Sequence, residues 1–249
     1  MKTIATDKLN IEKLKECFAN QPIFETKDLI EFYRKLEPDI KATSINWRVY
    51  RLVNIGTISR IGKGKFTIKK VKFYLPEISS RIKNIHAKLK KKFPHLRVCL
   101  WNTSSFNEFM IHQPGRFYLL IEAEANAAES VFFFLKEANY PVFLDPTSDI
   151  INKYLPPDKE TLIIKSLVSG APTQNIQRIL TTTIEKMLVD IFCDDVIFSA
   201  QQGSEMRIIF TEAFSKYSIN KNRMLRYADR RRKKESFNNY LTTIPNYIL

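Results

Sequence analysis

Between Asn46 and Lys65 the chain concentrates side chains of the kinds that touch nucleic acid: Asn46, Trp47, Arg48, Tyr50 and Arg51, then Arg60, Lys63 and Lys65. Arginine and asparagine pair with base edges in the major groove, aromatic rings stack on bases, and lysines neutralise phosphates. Their spacing says how they are presented. Ile45, Val49, Leu52 and Val53 stand at i, i+4, i+7 and i+8, the apolar stripe of a short helix over residues 44–54. At about 100° per residue, Trp47, Tyr50, Arg51 and Asn54 fall opposite that stripe, with Asn46 and Arg48 on its flanks. After Gly56, residues 57–61, the turn Gly62-Lys63-Gly64 and residues 65–68 predict a short hairpin with a basic tip. In this arrangement Arg60, Lys63 and Lys65 would grip phosphates while Asn46, Arg48, Tyr50 and Arg51 discriminate bases.

Catalytic patterns are weaker. Glu122 and Glu124 stand two apart in an apolar run, so both project to one side of a strand, as metal-dependent nucleases arrange their acids. The lysine such sites place at the second position is replaced by Glu124, and the plainer reading is the solvated end of a strand. A nuclease is therefore the alternative, not the main expectation. His86, His95 and His112 are the only histidines and none adjoins a Ser or Cys nucleophile motif. The Gly62-Lys63-Gly64 turn lacks the spacing of a phosphate-binding loop. Gly203-Ser204 leads into an amphipathic helix rather than a strand of paired acids, and Asp194-Asp195 reads as a cap or turn at a helix end. Cys17, Cys99 and Cys193 are far apart without C-x-x-C spacing, which predicts buried thiols and neither disulfide nor zinc. No metal, no cofactor and no enzymatic activity are expected; the mechanism is binding.

The elements that must carry the basic face begin upstream. Ile11, Leu14 and Phe18 predict a helix over 9–20, and Thr26 reads as the N-cap of a second, with Leu29, Ile30, Tyr33 and Leu36 inward and a stop near Pro38. Three helices and a hairpin make a winged helix-turn-helix over 1–75, with 69–75 as an extended exit. Residues 76–249 read as a mixed α/β domain. A helix carrying Ile78, Ile82, Ile85, Leu89 and Phe93, with lysines on its other faces, ends at Pro94. Strands are expected over 97–101, 117–124, 141–144 and 161–168, with a helix over 127–139 capped by Asn126 and Glu129. Helices follow from Thr183 and after Gly203. A last helix, capped by Ser218 or Asn220, carries Arg223, Arg226, Arg230, Arg231 and Arg232 as a second nucleic-acid or partner contact. The fold class is α+β: a winged helix-turn-helix, then a mixed α/β domain with a C-terminal helical segment.

With 44% hydrophobic residues the 249-residue chain can build real cores, and its formal charge of +14 favours a polyanionic partner. That charge is uneven: +8 over 1–75, +6 over 76–100, −6 over 101–220 and +6 over 221–249. An acidic centre is a poor bed for phosphates, which places the main DNA-binding surface at the N-terminus. A protein-docking module, using Trp47 and Tyr50 as its apolar contact, is the rival for that unit. Without an apolar run of about 18 residues or a leader pattern, a cytoplasmic protein with no membrane association is expected.

Three strings in order carry a resemblance: 52–66 (LVNIGTISRIGKGKF), 184–190 (IEKMLVD) and 225–231 (LRYADRR). Together they resemble the antitoxin, or transcriptional-regulator, component of bacterial AbiE-type abortive-infection systems, classed as type IV toxin-antitoxin pairs. The resemblance implies a DNA-binding repressor acting on the operator of its own operon in phage defence. It would neutralise a nucleotidyltransferase-like toxin encoded beside it without a stable complex, as a monomer or weak dimer. The reading face Asn46, Trp47, Tyr50 and Arg51 departs from any shared pattern, so no operator sequence is implied.

Overall fold

The chain divides between Phe73 and Tyr74 into two units. The computed structural model describes residues 9–19, 21, 23–68, 72–155 and 160–245; residues 69–71 of the expected exit and residue 20 of the expected first helix lie outside them.

The first unit runs α1 (Ile11–Cys17), β1 (Phe24–Glu25), α2 (Thr26–Leu36), α3 (Ala42–Asn54), β2 (Ser59–Gly62) and β3 (Lys65–Thr67), with its three strands antiparallel in the order β1-β3-β2. Leu14 and Phe18 from the α1 end, Leu29 and Tyr33 from α2, and Ile45, Val49 and Leu52 from α3 meet Phe24 and Phe66 of the sheet in one apolar core. Phe18 stacks on Phe24 at 4.2 Å, and the Tyr33 hydroxyl donates to the Leu9 carbonyl at 2.8 Å, tying the segment before α1 to α2. The capping residue of α2 is Glu25, not Thr26: the Asp28 carboxylate accepts the Glu25 N–H at 2.7 Å, the reciprocal half of a capping box. Thr26 instead donates its N–H to the Gly64 carbonyl at 2.8 Å, which pins the hairpin turn to the start of α2.

The second unit contains α4 (Ser80–Lys92), β4 (Val98–Asn102), β5 (Tyr118–Ala123), α5 (Ala128–Glu137), β6 (Val142–Leu144), α6 (Ser148–Tyr154) and β7 (Thr161–Ser166). After these come β8 (Thr173–Ile176), β9 (Ile179–Thr182), α7 (Ile184–Cys193), α8 (Ser204–Lys216), α9 (Lys221–Arg230) and α10 (Lys234–Thr242). The main sheet has the order β4-β5-β7-β6, with β4 antiparallel to β5 and β5, β7 and β6 parallel. Strand alternation feeds two cores. Leu100, Leu119, Ile121, Leu162 and Ile164 pack with Ile82, Ile85 and Leu89 of α4 and Val131 and Leu135 of α5. On the other face Trp101, Leu120 and Ile163 pack with Met187 and Leu188 of α7, Phe210 of α8, Tyr227 of α9 and Phe237 of α10. The protein is a mixed α+β structure, and no helix among the described residues is long and apolar enough to cross a membrane.

Two further local expectations are corrected, and one hairpin is added. The basic C-terminal helix is two helices: Arg232 takes φ 56°, and the Arg232 and Lys233 N–H groups close back on the Asp229 and Ala228 carbonyls. Asn126 does not cap α5; Ala127 and Ala128 donate their N–H groups to the Glu124 carbonyl. The β8–β9 hairpin was not expected, because its turn places Gln177 and Arg178 at positive φ where glycine or asparagine usually signals it.

Gly64 holds φ +69°, and a Cβ there would stand 3.1 Å from Thr26 Oγ1. Gly64→Ala is therefore expected to destabilise the first unit by about 1–2 kcal/mol in chemical denaturation. Gly115→Ala, where a Cβ meets nothing within 4 Å, should change stability by less than about 0.5 kcal/mol; equal effects would contradict the strain assigned to the turn.

Candidate functional site

Helix α3 buries Ile45, Val49 and Leu52 and leaves Trp47, Tyr50, Arg51 and Asn54 outward, an i, i+3, i+4, i+7 row on one face. Trp47 is 49% exposed and Tyr50 63%, an unusual amount of aromatic surface to leave in water. Asn46 is exposed beside them. Below the helix, Arg60 lies with its guanidinium 5.3 Å from the Phe66 ring, and Lys63 sits in the β2–β3 turn. Arg51, Arg60, Lys63 and Lys65 are all exposed, and none makes an ion pair among the described residues. This is an exposed, aromatic and positively charged face whose cations make no ion pair among the described residues.

Arg48 leaves the expected base-reading set. It is 7% exposed, donates through Nη2 to the Glu37 carboxylate at 2.8 Å and places its guanidinium 5.0 Å from the Tyr33 ring. Its position explains why: Arg48 is three residues after Ile45 and four before Leu52, inside the buried stripe rather than beside it. Arg48 braces α3 against the end of α2. The spacing, and an acid just past the preceding helix, were the available signals.

The C-terminal cations divide in the same way. Arg231 donates through Nη1 to Asp190 at 2.9 Å, and Arg223 donates to the Thr173 carbonyl at 3.2 Å with Glu185 at 3.9 Å. Arg226, Arg230 and Arg232 are exposed.

Glu122 and Glu124 are not the solvated end of a strand together. β5 is an inner strand, so Glu122 faces the α7 layer and is buried, whereas Glu124 lies beyond β5 and is exposed. Lys186, fully buried on α7, holds Glu122 at 2.6 Å and Asp190, one turn on, at 2.5 Å, with its Nζ 5.2 Å from the Trp101 ring. Asp190 also accepts the Tyr227 hydroxyl at 2.8 Å. Burial opposes the charge on Lys186, but Asp190 and Glu122 outweigh it and hold its pKa well above the ordinary lysine range. The pair a nuclease would need is thus split between a closed ion cluster and solvent. No grouping of three or more His, Cys, Asp or Glu able to hold a metal occurs among the described residues. Asp194 accepts the Ile197 N–H at 3.1 Å in the turn after α7 and pairs with Lys165. Of the three cysteines Cys99 is buried, but Cys17 is exposed, contrary to expectation.

Residues 44–246 match the model of a family described as Family of unknown function (DUF6577). No curated protein matches the chain.

Lys186→Met would leave Glu122 and Asp190 buried without their shared cation, at an expected loss of about 3–5 kcal/mol in denaturation. The raised Lys186 pKa gives stability that is full below about pH 10.4 and disappears as pH climbs through the folded value. Tyr227, raised chiefly by burial, loses stability in the same direction. The wild-type melting midpoint should therefore fall above about pH 10, and less steeply in Lys186→Met. A midpoint flat to about pH 11, or a neutral Lys186→Met, would contradict the cluster's assigned role.

Proposed function

Since the chain belongs to the DUF6577 family, whose function is unknown, we propose its function from its own side chains: a DNA-binding transcriptional regulator that represses its own operon. The first unit acts as a winged helix, with α3 as the helix presented to the major groove and the β2–β3 hairpin as the wing. One observation carries this reading. α3 exposes Trp47, Tyr50, Arg51 and Asn54 in a single row, next to a hairpin whose Arg60, Lys63 and Lys65 make no ion pair among the described residues. Exposed unpaired cations release counterions when they meet phosphates, and the aromatic row supplies stacking and apolar contact to base edges. Asn46, Arg51 and Asn54 are the residues with base-pairing chemistry, Arg48 being engaged inside. Arg226, Arg230 and Arg232 on the second unit form a further phosphate contact. The resemblance to AbiE-type regulators extends the proposal to an antitoxin paired functionally with a nucleotidyltransferase-like toxin and active without a stable complex.

Gel-shift titrations on the DNA upstream of the chain's own reading frame test this. Arg51→Ala should lose about 1–3 kcal/mol of discrimination between that DNA and a scrambled duplex. Lys63→Ala should weaken both equally and reduce the log–log salt slope by about 1. Binding that is absent, or insensitive to salt, would instead favour a protein-docking role for Trp47 and Tyr50. The antitoxin extension stands separately: co-expression should relieve growth arrest by a nucleotidyltransferase encoded in the neighbouring frame, and failure to do so would remove it while leaving DNA binding intact.

A further inference from the structure

The second unit contains a cleft of about 310 Å³ walled by Pro114, Ile197 and the ring of Tyr118 and edged by Arg116, Ser199 and Gln201. Its electrostatics run against its surroundings. Residues 101–220 carry fifteen acids and nine bases, yet among the described residues no carboxylate lines this cleft and one guanidinium does. Its polar groups spend little on the protein itself. Arg116 makes no ion pair, and neither the Tyr118 nor the Ser199 hydroxyl makes a hydrogen bond, among the described residues. Gln201 is 97% buried, counting from its 3% exposure, and its amide donates to a thioether, Met110 Sδ, at 3.7 Å, a weak acceptor for an amide. The chain is tied down four residues before Arg116. The Glu205 carboxylate accepts the N–H groups of Ile111 and His112, both at 3.3 Å, and contacts His112 Nδ1 at 2.7 Å, which holds the segment leading to Arg116.

A guanidinium and two hydroxyls that make no hydrogen bond or ion pair within the protein, lining a half-apolar cleft without a carboxylate among the described residues, are the groups a small-molecule site uses to fix an anion. We propose that this cleft binds a small molecule bearing a terminal oxyanion, phosphate or carboxylate, on a flat, partly apolar body. The Arg116 guanidinium and the Tyr118 and Ser199 hydroxyls take the oxyanion; Pro114, Ile197 and the Tyr118 ring take the body. This site is independent of the nucleic-acid face on α3.

Isothermal titration calorimetry of the full chain with adenosine monophosphate, inorganic phosphate, benzoate and adenosine tests it. At least one oxyanion probe carrying a ring should bind with Kd below about 1 mM, and adenosine should not. Adenosine monophosphate against benzoate separates phosphate from carboxylate. Arg116→Gln and Tyr118→Phe should each weaken binding about tenfold or more, with Arg178→Gln and Lys63→Ala unchanged. Arg116 is exposed, so its substitution leaves the fold in place, which circular dichroism would verify. No heat from any oxyanion at about 10 mM, adenosine binding as well as its monophosphate, or loss in Lys63→Ala but not Arg116→Gln would each overturn the proposal.

Discussion

A lysine with no access to water is the constraint on which the second unit depends. Removing an ammonium from solvent costs several kcal/mol, which only closely placed counter-charges offset. Lys186 meets that demand with Glu122 from β5 and Asp190 from its own helix, and Asp190 in turn takes Tyr227 from α9 and Arg231 from just past its end. Two cations and two carboxylates balance, so the cluster is neutral as a whole. Because each of its bonds is directional, α7 has one register over β5, and α9 has one rotation against α7. An apolar interface between the same elements would tolerate sliding; this one does not. The same geometry turns Arg231 inward, while Arg226 and Arg230 stay exposed.

The first unit repeats the device at smaller scale. Arg48 joins Glu37 and covers the Tyr33 ring, which fixes the rotation of α3 about its axis. With Arg48 inside, the row that remains outside is Trp47, Tyr50, Arg51 and Asn54. Orientation of the proposed reading face thus follows from a buried cation rather than from the apolar stripe alone. The Gly64 carbonyl, held by Thr26, sets the hairpin beside the same helix bundle.

Much of this was legible in the sequence because apolar periodicity reports burial directly. The four main strands and the helices over α2, α3, α4, α7 and α8 lie within a few residues of where the pattern placed them. What escaped was polar. Glu122 read as solvated because an acid in a strand normally is; its burial depends on a lysine 64 positions later that no local pattern connects to it. The Lys186–Asp190 spacing of four residues was the one visible half of that cluster. Arg231 and Arg223 look like surface charges in the sequence for the same reason, since their partners Asp190 and the Thr173 carbonyl are distant along the chain. The β8–β9 hairpin was missed because its turn uses Gln177 and Arg178 at positive φ. The break before α10 was missed because Arg232, not glycine, takes the left-handed conformation. The cleft around Arg116 gave no sequence signal, since its lining comes from three separated segments.

The chain has two tryptophans in opposite environments, Trp101 buried at 1% exposure and Trp47 exposed at 49% on the proposed DNA face. Both emit, but only Trp47 can meet DNA, so a DNA-dependent change that disappears in Trp47→Phe reports on that face. Titrating the full protein with duplex DNA from upstream of its own frame, with binding followed in parallel by anisotropy of labelled DNA, should quench and shift the exposed emission in step with binding. The change should reverse on adding salt and vanish in Trp47→Phe. Anisotropy that reports binding while the Trp47 emission stays constant would contradict the assignment of α3 as the surface that meets DNA.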